Sequence, residues 1–125
     1  MPRILYIEDN ADNRMLVRRV LMASGAAFEV VEAENAIKGI AMAQADPPDL
    51  ILMDLSMPEM DGLTATQYIR TIPKLSHVPI VALTANAMQG DRDRTLNAGC
   101  DGYISKPIDI DRFPQEVLNY VRSVK

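Results

Sequence analysis

Three carboxylates, a hydroxyl and an amine stand where short apolar runs end. Glu8 and Asp9 follow Ile4-Leu5-Tyr6-Ile7, Asp54 follows Leu50-Ile51-Leu52-Met53, Thr84 follows Ile80-Val81-Ala82-Leu83, and Lys106 comes shortly after Gly102-Tyr103-Ile104. If those runs are strands of one open sheet, chemistry gathers in the crevice beyond their carboxyl ends, and these five distant residues converge. Three carboxylates packed within about 4 Å repel by ~1 kcal/mol per pair in water and ~4 kcal/mol at an effective dielectric of about 20, so a cation must offset them. Lys106 supplies one charge. The other donors are oxygens with no His or Cys beside them, a set that suits a hard divalent ion, and Mg²⁺ is the most available. Mg²⁺ keeps water and accepts phosphate oxygens, which leaves a position for a phosphoryl group. With Lys106 and the metal sharing phosphoryl oxygens and the Thr84 hydroxyl donating to one of them, a carboxylate can act as nucleophile. Asp54 ends the most apolar run and is central in the expected cluster, so it is the expected nucleophile and an aspartyl phosphate the expected product.

The elements that must position these residues follow from periodicity. Continuous apolar runs are how strands buried on both faces read. Phe28-Glu29-Val30-Val31 and Gly102-Tyr103-Ile104 are weaker runs that complete a set of five. Between them, Leu16, Val20 and Ala23 recur at helical spacing with Gly25 where that helix would end, and Ile37, Ile40, Ala41 and Gln44 repeat the spacing between an Asn35 N-cap and a Pro47-Pro48 stop. A third helix is expected from about Leu63 through Ile69 to Ile72, stopped by Pro73, and a fourth between Gln89 and Ala98. The fifth carries Phe113, Val117 and Val121 on one face and begins near Asp111, where the missing N–H of Pro114 costs nothing. Strand followed by helix, five times, predicts an α/β fold: a doubly wound, five-stranded parallel sheet with five helices and right-handed crossovers. Residues 1–125 read as one domain without linker, repeat or attached output module.

Composition narrows the function. Thirteen Lys and Arg against seventeen Asp and Glu give a net charge of −4. No clustered positive face is available for neutralising phosphates, so direct nucleic-acid binding is not expected. The apolar stretch after Met-Pro-Arg is too short for a signal peptide, and no run approaches the roughly 20 apolar residues of a membrane span. The expectation is a cytoplasmic protein with no membrane association. The single Cys100 forms no internal bridge.

Ile7-Glu8-Asp9-Asn10, then Leu52-Met53-Asp54-Leu55-Ser56-Met57-Pro58 with Asp61-Gly62, then Leu83-Thr84-Ala85, then Tyr103-Ile104-Ser105-Lys106-Pro107 occur in that order. Each motif alone is weak. Together, over the whole chain, they resemble a response regulator receiver domain of two-component systems, with its flavodoxin-like (βα)5 fold. The chain is similar to chemotaxis-type and cell-cycle-type single-domain receivers, and equally to receivers of hybrid kinases. The resemblance implies that Asp54 is the phosphoacceptor, taking its phosphoryl group from a phosphohistidine on a sensor histidine kinase or histidine phosphotransfer domain, and that a downstream effector protein reads the change. It implies that Asp9 and Asp54 ligate Mg²⁺ directly, Glu8 through water and Ser56 through its backbone carbonyl, while Thr84 and Lys106 hold the phosphoryl oxygens. It implies a cis Lys106-Pro107 bond and a switch in which Tyr103 turns inward as Thr84 moves toward the phosphate. Such a protein catalyses its own phosphorylation and slow dephosphorylation without being a conventional turnover enzyme. The expected signalling face is the fourth helix, fifth strand and fifth helix. That fourth helix is weakly anchored, because Met88 and Leu96 are its large apolar residues, and the Ala85-Asn86-Ala87 loop leads into it.

Plainer readings compete. An isolated Glu8-Asp9 pair would be a solvated loop, and Met57-Pro58 through Gly62 is also a turn into a helix. Tyr103 fits a half-buried edge residue. The Ser56 side chain either tunes phosphate lifetime or faces water. The eight methionines are expected as core and gap filling, His77 as an exposed loop residue and Cys100 as a structural thiol. A flavin or dinucleotide binder needs glycines or hydroxyls after the first strand, where Glu8-Asp9 would repel phosphate. A Mg²⁺-dependent phosphatase with an Asp nucleophile typically has a second Asp where this chain has Ser56. A receiver serving only as a docking module has no need of Asp9, Asp54, Thr84 and Lys106.

Overall fold

The computed structural model of the chain describes residues 2–25, 27–55, 60–84 and 89–122. Strand and helix alternate as β1 (Arg3–Ile7), α1 (Ala11–Met22), β2 (Glu29–Ala33), α2 (Ala36–Ala45), β3 (Leu50–Asp54), α3 (Gly62–Arg70), a 3-10 turn (Pro73–Leu75), β4 (Ile80–Thr84), α4 (Gln89–Asn97), β5 (Gly102–Ser105) and α5 (Phe113–Arg122). All strands run parallel in the order β2-β1-β3-β4-β5. The order reverses between β2 and β3 on either side of β1, which opens a crevice beyond the carboxyl ends of β1 and β3. Ile7 pairs with Met53, Asp54 with Leu83 and Thr84 with Ser105, so those strands finish side by side.

Alternate strand residues point to opposite faces, and this divides the core into two layers. Leu5, Ile7, Ile51 and Met53 pack beneath α2 and α3 against Ile40, Ala43, Ala65 and Ile69. Ile4, Tyr6, Leu52 and Val81 pack beneath α1 and α5 against Val17, Leu21, Phe113 and Val117. Every residue of β3 and β4 is buried, as the continuous apolar runs predict.

The helices occur where expected; α5 buries Phe113 and Val117 with Val121 packed beside them, as predicted, but the buried faces of α1 and α2 are rotated from the predicted ones. In α1 the core stripe is Val17, Val20 and Leu21, while Leu16 is exposed and Ala23 caps the end. In α2 the buried residues are Ala36, Gly39, Ile40 and Ala43, and Ile37 is 58% exposed. The reason is close approach: a Cβ at Gly39 would collide with the Ile7 side chain, so this helix meets the sheet through its small residues. Asn10, Asn35 and Asp61 each cap a helix by accepting from the backbone N–H three residues on, at 2.8–2.9 Å, an arrangement worth about 1 kcal/mol per cap. The methionines also depart from expectation. Met53 is buried and Met42 and Met60 pack partly, but Met15 and Met22 are more than half exposed. Cys100 is buried with Sγ 3.6 Å from Thr66 Oγ1, and His77 is exposed. Among the described residues, no helix is long and apolar enough to cross a membrane.

Candidate functional site

The Glu8 amide donates to the Ala33 carbonyl at 3.0 Å, which carries the sheet ladder one step past β1 and aims the side chain into the crevice. Glu8 is 1% exposed and Asp54, the last residue of β3, 2%. One carboxylate oxygen from each of Glu8, Asp9 and Asp54 lies within 4.8 Å of the others, and Asp9 is the exposed member. The Lys106 amide donates to the Thr84 carbonyl at 2.8 Å, extending the pairing beyond β5 and bringing the lysine over the site. Its Nζ donates to Glu8 Oε1 and to Asp54 Oδ1, each at 3.0 Å. The Lys106-Pro107 bond is cis. From the other side α3 closes in: a Cβ at Gly62 would lie 2.5 Å from the Asp54 carbonyl oxygen.

Burial raises the carboxyl pKa of Glu8, but hydrogen bonding with Asp54, Lys106 and Tyr6 outweighs it and holds the group down at about 2. Asp54 is pushed up by burial and by Glu8, against the pull of Lys106. Burial works against the Lys106 ammonium, yet its hydrogen bonds to Asp54 and Glu8 prevail and raise its pKa. Lys106 thus bonds two of the three carboxylates, Glu8 and Asp54. The cluster is short of positive charge and built of oxygen donors, with an exposed Asp9 through which a hydrated ion can approach, so it fits a hard divalent cation.

Glu8, Asp9, Asp54 and Lys106 therefore meet as the sequence predicts. Thr84 closes β4 one step beyond Leu83, the partner of Asp54. Tyr103 is half-buried against the α2/α3 layer; it pairs with Ala82, on the sheet face that Thr84 also takes. Ser56, Met57 and Pro58, the Ala85-Asn86-Ala87 loop and Met88 lie outside the described residues. In α4, Thr95 is buried whereas Leu96 is 44% exposed.

Sequence reasoning overlooked the residues that hold Glu8. The buried Tyr6 hydroxyl donates to Glu8 Oε1 at 2.9 Å and Asn13 Nδ2 donates to the same oxygen at 3.3 Å. Arg14 Nη1 donates to the Glu8 carbonyl at 2.7 Å, with its Nε 3.6 Å from Glu32. A signal for Tyr6 existed: residues two apart on an extended chain share a face.

Comparison with known proteins bears on the family and the fold. The profile of the response regulator receiver domain matches residues 4–118. The polar-differentiation response regulator DivK of Brucella anthropi is 39% identical over 122 residues, covering 97% of this chain and 98% of the relative. The receiver domain of a Pseudomonas aeruginosa sensor histidine kinase, solved with a magnesium ion coordinated in its active-site cleft, is 35% identical, with a TM-score of 0.86 over 96% of this chain and 97% of that one. A Vibrio cholerae chemotaxis protein shares the fold at 24% identity and a TM-score of 0.88, over 96% and 98% of the two chains. With the profile spanning nearly all of its strands and helices, this chain belongs to the response regulator receiver domain family of two-component systems.

Proposed function

We propose that Asp54 is the phosphoacceptor of this receiver, that the reaction requires Mg²⁺, and that the donor is a phosphohistidine on a sensor histidine kinase or histidine phosphotransfer domain. The observation that carries the proposal is the position of Asp54: 2% exposed, 3.0 Å from the Lys106 ammonium, and within reach of two further carboxylates. An Asp54 carboxylate oxygen attacks phosphorus, the bond from phosphorus to the donor imidazole nitrogen breaks, and that nitrogen leaves with the electron pair. Lys106 and the Thr84 hydroxyl hold the equatorial oxygens of the transferred group, so catalysis is mainly positioning and charge stabilisation. Asp9 and Asp54 would hold Mg²⁺ directly, Glu8 through water and Ser56 through its carbonyl. When bound, the metal supplies the charge neutralisation that one lysine cannot. An apolar hollow of about 520 Å³ beside Lys106, bordered by Leu16, Val17, Ile108 and Ile110, gives the donor a surface to approach along.

The product adds about two negative charges at Asp54. Thr84 and Lys106 are drawn toward them, Tyr103 follows Thr84 inward, and the face formed by α4, β5 and α5 changes for a downstream effector. Slow self-catalysed hydrolysis resets the switch. We read residues 1–125 as one such domain acting in the cytoplasm. Incubation with Mg²⁺ and acetyl phosphate, followed by intact mass, tests the assignment. The wild type gains one phosphoryl group and Asp54→Asn does not; equal uptake by both would refute Asp54 as acceptor.

A further inference from the structure

Three donors converge on one oxygen of Glu8. The Tyr6 hydroxyl lies 2.9 Å from Oε1, Lys106 Nζ 3.0 Å and Asn13 Nδ2 3.3 Å. Oε2 receives the longer, 3.4 Å contact from the Asn10 amide. A carboxylate oxygen has lone pairs for about two hydrogen bonds, so Oε1, with three donors on it, has none to spare, and apart from the side chain's contact with Asp54 the remaining accepting capacity lies on Oε2. The donors differ in stiffness. Lysine and asparagine heads follow flexible or exposed stems, whereas the Tyr6 ring is 1% exposed and packed in the layer that contains Val17, Val20, Leu52 and Leu83. Its hydroxyl position is set by the core itself.

We infer that Tyr6 is a positioning residue for the cation site: its hydroxyl fixes Glu8 Oε1 and so presents Oε2 toward the ion shared with Asp9 and Asp54. This rests on the reading of the three carboxylates as a Mg²⁺ site. It also frees Lys106. One ammonium serves both Glu8 and Asp54, and a second strong donor on Glu8 keeps the lysine from being drawn wholly to that side. Partners that orient a metal-binding group without touching the metal are typically worth about 10–100-fold in metal affinity. With Asn13 and Lys106 still in place, the loss of one hydroxyl belongs at the lower end, about tenfold.

The loss also has a signature that general destabilisation lacks. Mg²⁺ demands near-ideal octahedral geometry at about 2.0–2.1 Å, whereas Ca²⁺ tolerates irregular sets at about 2.3–2.6 Å. Glu8 would reach the ion through water, and a loosened Glu8 would no longer fix that water, so the strict octahedron of Mg²⁺ would suffer more than the irregular set Ca²⁺ tolerates. The experiment titrates the full chain with each chloride salt and follows backbone amide shifts at residues 8–10 and 54. It compares wild type, Tyr6→Phe and Val20→Ala, the last removing bulk from the same core layer without touching Glu8. Tyr6→Phe is expected to bind Mg²⁺ about tenfold more weakly while Ca²⁺ affinity falls much less; Val20→Ala is expected to lose thermal stability but keep the wild-type Mg²⁺ to Ca²⁺ ratio. The inference is overturned if Tyr6→Phe retains that ratio, or if Val20→Ala shifts it equally. A wild type that does not titrate with Mg²⁺ overturns the metal site and this inference with it. Failure of Asp54 as phosphoacceptor is read separately, from phosphate uptake by the wild type.

Discussion

Lys106 Nζ donates to Asp54 Oδ1 at 3.0 Å across 52 positions of sequence, and the same ammonium donates to Glu8 Oε1 at 3.0 Å. Two nearly buried carboxylates thus share one ammonium that is itself partly exposed.

That sharing should let phosphorylation and response be separated by mutation. In Lys106→Arg the charge is retained, but a planar guanidinium replaces a compact ammonium and does not reproduce both contacts. The expected outcome is that Lys106→Arg and Thr84→Ala still gain phosphate from acetyl phosphate, while amide shifts in α4, β5 and α5 change much less than in wild type. Wild-type shifts in either variant would remove that residue from the switch.

How far the sequence reveals this arrangement depends on the kind of signal. Strands and site are legible because β1, β3 and β4 are unbroken apolar runs that each end in a polar residue, and a parallel ladder brings such ends together. Helix phase is not. Ile37 and Ile40 fit a helical stripe by spacing, yet Ile37 faces solvent, because α2 approaches Ile7 through Gly39 and the small residues decide its contact face. Tyr6 reads as core, and it is core; its second role depends on where Glu8 turns, which composition does not encode. Met15 and Met22 stay more than half exposed because the sheet and α5 take the other side of α1, through Val17, Val20 and Leu21.

Gly62 tests how tightly α3 is seated against the end of β3. A Cβ there would meet the Asp54 carbonyl oxygen at 2.5 Å and the Leu55 Cα at 2.9 Å, both backbone atoms that cannot swing aside. Gly62→Ala is expected to cost about 1–3 kcal/mol, as overpacking does. Urea unfolding measures it, and a midpoint equal to that of wild type would show that α3 can move away freely.

The two carboxylates give pH effects of opposite sign in Mg²⁺-free protein. Glu8, held at about 2 in the fold against about 4.3 unfolded, contributes stability that is present above the unfolded value and lost as pH falls through the folded one. Asp54 is raised, so the folded state binds its proton more tightly than the unfolded chain does, and stability falls as pH rises from its unfolded value through the folded one. Lys106, also raised, contributes fully below its unfolded value of about 10.4 and loses this as pH climbs through the folded value. Thermal melts of wild type minus Asp54→Asn read the Asp54 contribution together with its effect on Glu8 and Lys106. The difference should move against the wild type as pH rises from about 4; a difference independent of pH would contradict the raised pKa.

Mg²⁺ should reverse the order of stability of the same two proteins. Without metal, Asp54 adds charge to a buried acidic cluster that Lys106 alone does not neutralise. Asp54→Asn removes that charge, and its side-chain oxygen can still accept from Lys106, so the variant should melt higher than wild type at pH 7. With metal, wild type gains what a ligand bound only to the folded state supplies, about 2.7 kcal/mol at a concentration 100 times the dissociation constant. Asp54→Asn has given up one of the three anionic donors and should gain far less. Melting curves across a Mg²⁺ titration should therefore cross, wild type starting below the variant and finishing above it. Parallel curves would mean that Asp54 takes no part in holding the ion.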